Sequence, residues 1–243
     1  MKHAKGDYIF YVDSDDYIEL ETLQKMYNLA YKNNSDLIIC DYYKLYEDET
    51  KQYQETIPFY DENNKKISVI SMPGPVCKLF KKEVLTENKI EFLENHIFED
   101  NAIMPYACAL CKNVIYTKNA YYYYFQRFGS SLNQKKYNKN LEDIFDALNY
   151  LHNKFKKNNL LEEYYEELEY IYIEYLLHAA NLRFIEYKEA YKNIDKISKI
   201  IKEKFPKWRK NKYYKKTCIK YKIVCNLFYN KNIMLLKLLL RKR

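Results

Sequence analysis

Residues Tyr8–Val12 are an apolar, β-rich run that stops abruptly at the polar tetrapeptide Asp13-Ser14-Asp15-Asp16. The run reads as a short buried strand. Residues 19–33 follow with Leu20, Leu23, Met26, Tyr27 and Ala30 on one helical face. Asp36–Tyr43 is then a second apolar strand. Strand, helix and strand in this order constrain the first part of the chain to an α/β fold with a parallel or mixed sheet. Only 3 Gly and 5 Pro occur in 243 residues, which disfavours a loop-rich β protein and favours long helices.

Further along, residues 47–66 are charged and read as a loop with a weak strand. Met72-Pro73-Gly74-Pro75 breaks the chain, and Val76–Leu85 reads as a short helix. Glu99–Cys111 is a helix that Pro105 should strain. Val114–Tyr116 and Ala120–Gln126 read as two short strands. Helical periodicity runs through 141–204 and suggests about three helices. The polar stretch 130–140 marks a boundary. The expected organisation is an α/β part over 1–135, a helical region over 136–206 and a basic amphipathic tail over 207–243.

The six cysteines show no disulfide-scaffold spacing, and Cys108 and Cys111 lack a second pair at zinc spacing, so buried reduced thiols are expected. No apolar stretch opens the chain as a secretory signal would, and no run is long enough to span a membrane. A cytoplasmic protein is the expectation. Residues 202–243 hold fifteen of the 41 Lys/Arg and one of the 33 Asp/Glu, so a mildly acidic body carries a strongly basic end.

Three carboxylates within four residues repel one another unless a cation or strong donors sit among them. A strand feeding into them places them at the carboxyl end of a sheet, where open α/β sheets bind ligands. Hard divalent cations take oxygen ligands and share them with substrate phosphates. A metal–diphosphate site and an acidic turn capping the next helix both fit the tetrapeptide.

The wider segment Ala4-Lys5-Gly6-Asp7-Tyr8-Ile9-Phe10-Tyr11-Val12-Asp13-Ser14-Asp15-Asp16 resembles the signature of family 2 glycosyltransferases. The resemblance implies a partial GT-A (Rossmann-like) mixed sheet with flanking helices, followed by a C-terminal all-helical region. It implies that Asp13 contacts the sugar nucleotide, Asp15 holds a divalent cation (Mn²⁺ or Mg²⁺) and Asp16 binds near the donor sugar. Phe98-Glu99-Asp100 resembles the family's acidic pair at a helix start. Asp100 would then be the general base toward the acceptor hydroxyl, with Glu99 orienting or capping. A plain acidic helix start has the same residues. Gly74–Lys81 resembles the pocket-floor segment, where Lys78 would meet a phosphate or a sugar hydroxyl or stay a surface lysine. Tyr121–Ser131 resembles a strand ending in a Tyr–x–x–Arg–x–x–Ser pattern, which gives Arg127 to the leaving diphosphate and Ser130 to a loop over the site.

Family members carry further nucleotide-binding strands before the acidic motif. The resemblance therefore implies a chain lacking that portion, with an exposed sheet edge and a tendency to self-associate. The implied activity is inverting sugar transfer from a nucleotide-sugar to a glycan or lipid-linked acceptor in cell-envelope polysaccharide synthesis. An inactive remnant and a helical interaction protein are the alternatives. The basic tail interleaves Lys/Arg with Trp208, Ile223, Leu227 and Phe228, which suits an anionic membrane surface at the inner face of the cell membrane. Packing on the helical region also suits it, and nucleic-acid binding is not expected.

Overall fold

The structure is a computed structural model of the 243-residue chain and describes residues 3–59, 64–126 and 137–240. Two compact units result, Met1–Glu94 with Glu99–Asn133, and Asn95–Phe98 with Gln134–Arg243.

The first unit is a mixed sheet with flanking helices. Its elements are β1 (Tyr8–Phe10), β2 (Tyr17–Ile18), α1 (Thr22–Asn33), β3 (Leu37–Tyr46), β4 (Lys51–Gln54), α2 (Asn64–Val69), β5 (Lys78–Lys81), α3 (Lys82–Glu87), α4 (Glu99–Leu110) and β6 (Val114–Gln126). The strand order is β1-β5-β3-β6-β2, with β4 also on β3. β3 is parallel to β6 and antiparallel to β5 and β4. Its first half pairs with β5 and its second half with β4, so one long strand serves two short partners.

Val76–Leu85, expected as a helix, is instead a loop, β5 and the start of α3. The four residues of β5 lie between β1 and β3, and ladder pairing on both sides overrides local helix preference. Two expected strands after residue 113 are one strand, β6. The polar Thr117-Lys118-Asn119 that suggested a gap sits at a register shift against Cys40 and Asp41, a β-bulge rather than a break.

α1 starts at Thr22 and ends where Asn34 adopts φ 46°, a left-handed C-terminal cap. Its buried stripe is Thr22, Met26 and Ala30, while Leu20, Leu23 and Tyr27 are exposed, unlike the face expected from the sequence. Met26 and Ala30 pack against Ile38, Cys40, Cys77, Leu79 and Tyr122. α4 is buried all round from Asn101 to Ala109 and runs through Pro105 without interruption. Asp41 is fully buried. It accepts from the Tyr53 hydroxyl (2.5 Å), the Tyr116 hydroxyl (2.7 Å) and the Thr56 N–H (2.7 Å), and so ties β3, β4 and β6 together.

The second unit is helical: α5 (Asp143–Lys157), α6 (Tyr165–Tyr172), a π-helical stretch Ile173–Ala180 continuing into α7 (Asn181–Phe184), α8 (Tyr191–Lys204), α9 (Lys212–Lys216), α10 (Ile219–Tyr229) and α11 (Ile233–Leu240). The basic segment is built into this unit. Trp208, Tyr213 and Phe228 are fully buried, and Trp208 packs against Tyr214 and Tyr229 with ring centroids 4.9 and 5.4 Å away. Acids of the preceding helices receive it. Tyr213 donates to Glu167 (2.5 Å), Tyr221 to Glu174 (2.6 Å), and Lys212 lies 3.2 Å from Glu166. The packing alternative weighed for this segment thus describes its buried side.

Candidate active site

The acidic tetrapeptide is a tight turn between β1 and β2, closed by the Asp16 N–H to the Asp13 carbonyl at 3.1 Å. β6 grips it from the side. The Tyr122 hydroxyl accepts from the Asp13 N–H (3.2 Å) and donates to Asp16 Oδ2 (2.6 Å), and the Phe125 N–H donates to Asp16 Oδ1 (2.9 Å). Tyr122 is fully buried, so its hydroxyl is a fixed peg. The turn does not cap α1, whose N-cap is Glu21 with no side-chain cap bond. That removes the capping reading of the tetrapeptide. Asp13 is exposed, and Asp15 is half-buried.

A cleft of about 560 Å³ opens beside this turn. Asp13, Glu99 and Asp100 supply its acidic side. Tyr11, Tyr42, Phe92 and Tyr124 supply aromatic rings, and the loop 72–76 closes it. Its described lining contains no Lys, Arg or His. α4 delivers the acid pair, because Glu99 and Asp100 occupy its first turn. Free N–H groups there favour a carboxylate, and Asp100 Oδ1 accepts from the Asn101 N–H at 2.7 Å.

The charges show the crowding. Partial desolvation at the cleft wall, then Asp16, Asp15 and Glu99, hold the Asp13 carboxyl above its ordinary range, although much of the residue stays open to solvent. Burial also raises Asp100, helped by Glu99 and opposed by the Asn101 N–H and Lys78. Lys78 is wholly buried, and burial lowers its pKa. Its ammonium donates to the carbonyls of Met72 (2.5 Å) and Gly74 (2.8 Å). It therefore straps the cleft loop from behind rather than facing the cleft. Among the described residues no three His, Cys, Asp or Glu side chains form a set that could hold a metal alone.

Residues 1–88 match the model described as glycosyl transferase family 2. That stretch is where the chain is similar to family 2. An uncharacterized glycosyltransferase of Mycoplasma genitalium is 33% identical over 137 residues, 54% of this chain and 44% of that protein. A poly(ribitol-phosphate) beta-glucosyltransferase of Bacillus spizizenii is 34% identical over 161 residues, 61% of this chain and 24% of that protein. The chain thus spans less than half the length of these relatives. The crystal structure of Staphylococcus aureus TarS aligns with a TM-score of 0.50 at 17% identity, over 93% of this chain and 41% of that one, which supports the GT-A-type fold.

Within the family 2 segment the structure brings Asp13 to the cleft and keeps Asp16 bound to β6. Glu99 and Asp100, beyond residue 88, reach the same cleft. Arg127 and Ser130 lie outside the described residues. Two residues were not singled out from the sequence, Asp41 and Tyr122. An acid inside the apolar run DLIICDYY was a usable signal for Asp41. Tyr122 was hidden among 29 tyrosines. Tyr122→Phe keeps the ring and removes both hydroxyl contacts. It is expected to lower the stability of the first unit by about 1–3 kcal/mol in urea unfolding. No measurable loss would show that the hydroxyl does not hold the turn.

Proposed function

We propose that this chain takes part in inverting transfer of a sugar from a nucleotide-sugar to a glycan or lipid-linked acceptor in cell-envelope polymer synthesis. One observation carries this reading: the family 2 acidic turn and the Glu99-Asp100 helix start open onto one cleft. The relatives' names, a poly(ribitol-phosphate) glucosyltransferase among them, support the cell-envelope setting. Asp100 would accept the acceptor proton, since an ionised carboxylate beside the attacking oxygen is a general base. Asp13 would contact the sugar nucleotide, and Glu99 would orient the acceptor.

Crowded carboxylates with no cationic side chain in the described lining fit a hard divalent cation. Asp15 would hold it, with remaining positions left to water and diphosphate. When bound, such a cation offsets charge on the leaving diphosphate. Asp16 contributes by fixing the turn. The deciding experiment measures nucleoside diphosphate release from a panel of nucleotide-sugars with Mn²⁺ or Mg²⁺. Turnover should depend on the cation and vanish in Asp15→Ala. Turnover equal in wild type and Asp15→Ala would defeat these assignments, and no turnover at all would favour an inactive relative.

A second observation concerns the basic segment. Ile219, Ile223, Met234, Leu235 and Leu238 are exposed on α10 and α11, and no Asp or Glu follows Glu203. We infer that these exposed side chains rest on an anionic membrane surface at the cytoplasmic face. Each nearby Lys/Arg is worth ~1 kcal/mol there. No helix of the described residues is long and apolar enough to cross a membrane. Deleting 207–243 would remove buried Trp208 and Phe228, so point changes are the better probe. Met234→Glu with Leu238→Glu should reduce co-sedimentation with anionic vesicles without unfolding. Salt-sensitive binding to RNA with none to vesicles would reject the membrane reading.

A further inference from the structure

Lys78 is wholly buried, and the chemistry proposed above gives it no task. Taking an ammonium out of water is costly, and a well-packed apolar side chain in place of a buried charge is often neutral or stabilising. Stability alone therefore does not account for a lysine at this position.

Its acceptors show what it holds. Pro73 and Pro75 have no N–H, so the segment Met72-Pro73-Gly74-Pro75 is short of backbone donors. The entry of the loop is held by the Met72 N–H on the Thr56 carbonyl (2.9 Å), and its exit by the Cys40 N–H on the Cys77 carbonyl (3.0 Å). Between these ties the Lys78 ammonium takes the carbonyls of Met72 and Gly74. Cys77, where the loop ends, has φ 64°, a left-handed conformation that a non-glycine residue keeps only when its surroundings fix it. Residues 72–76 and Asp100 line the same cleft.

The same ammonium acts on Asp100. Its other neighbours include the thiols of Cys108, Cys77 and Cys40. Burial pushes Cys108 up to about 11 and Cys77 well above its ordinary value, so these two are neutral at pH 7. The carboxylate acting on Lys78 is that of Asp100. On Asp100, burial and Glu99 favour the protonated form, while the Asn101 N–H and Lys78 favour the ionised one. Tyr124 from β6 is within electrostatic reach of Asp100, Asp13 lines the same cleft, and Lys65 of α2 acts on Cys111 at the other end of α4. A charge buried away from water is little screened, so it reaches through the loop wall.

We infer that Lys78 is a positioning residue of this site: one buried ammonium clamps the loop that walls the cleft and supplies the counter-charge that leaves the Asp100 carboxylate ready to take a proton. This rests on the proposed base role of Asp100 and goes beyond it, because a base enclosed beside Glu99 needs something to keep it charged.

The test needs no turnover. Carbon- and nitrogen-detected NMR titrates the Asp100 carboxyl and the Lys78 ammonium in the full chain. The ammonium should be charged at pH 7. Lys78→Met should raise the Asp100 midpoint by about one pH unit. Asp100→Asn should lower the Lys78 midpoint by a similar amount, because an interaction between two sites is reciprocal. This second variant keeps the clamp and decides the matter even where Lys78→Met fails to fold. A Lys78 amine already neutral at pH 7 overturns the inference, and so does a Lys78 midpoint unmoved by Asp100→Asn. A Lys78→Met protein that loses stability with the Asp100 midpoint unchanged also overturns it, since a purely structural clamp would behave that way. Reciprocal shifts with no turnover of any nucleotide-sugar would instead sink the proposed function and leave the link between the two charges standing.

Discussion

Asp100→Asn is expected to lower kcat by ~10²–10⁴-fold, the usual contribution of a positioned general base, while the protein stays folded. The amide keeps the shape of the side chain and can still accept from the Asn101 N–H, but it cannot take a proton. The electrostatics set the accompanying pH behaviour. Burial raises the Asp100 pKa in the folded protein above the ordinary value of 3.8. The folded state therefore holds this proton to higher pH than the unfolded chain does. Its contribution to stability is fully present below 3.8 and is lost as pH rises through the raised folded value. At neutral pH the wild-type carboxylate is a net cost to folding that Asn does not carry. Tm of Asp100→Asn at pH 7 should equal or exceed that of wild type, whereas wild-type kcat should fall as pH drops through the folded value. A variant that retains most of its kcat would remove Asp100 from the base role. One that unfolds would mean its importance is structural.

Asp41→Ala is expected to have the largest effect on stability, a loss of about 3–5 kcal/mol, because hydrogen bonds to a charged group are strong and buried donors are costly to strand. Its carboxylate receives two tyrosine hydroxyls and one backbone N–H at the point where β3 changes partners. For a chain of this size the loss corresponds to a Tm lower by roughly 10 °C, measured on the transition of the first unit. Asp41→Asn retains one carbonyl acceptor and should fall between the two. A loss under about 1 kcal/mol for Asp41→Ala would mean that the three donors find water or other partners.

The parts of the fold legible in the sequence were those encoded over short spans. The strand into Asp13–Asp16, helix α1, strand β3 and helix α4 each carry their own periodicity or boundary signal. β5 was not legible, since four residues of Lys-Leu-Phe-Lys become a strand through neighbours distant in the chain. The bulge in β6 mimicked a break because its residues are polar and its partner is β3. At the site, the acids were visible from spacing and flanks. Their anchoring was not, because the Asp16–Tyr122 bond joins residues 106 positions apart. Lys78 was expected either to meet substrate or to lie at the surface and does neither, because its burial and its two carbonyl partners depend on how the 72–74 loop folds over it. The basic segment showed its charge in the sequence but not its inner side, which depends on Trp208 and Tyr213 finding α6 and α10.

The run Tyr121-Tyr122-Tyr123-Tyr124 spells one letter four times and performs four tasks. Tyr121 accepts the Thr22 hydroxyl at its carbonyl, Tyr122 pegs the acidic turn, Tyr123 stacks on Tyr43 at 5.5 Å, and Tyr124 lines the cleft. What distinguishes them is register alone, set by two shifts against β3, one over Lys118-Asn119 and one at Tyr121 itself. Sliding the strand by one position would leave the text almost unchanged and reassign every task. A pairwise comparison displaced by one residue across this run would score nearly as well as the correct one. Here the information that defines the site is stored as a phase of the strand, and homologous positions are best matched through the bulge, not through the tyrosines.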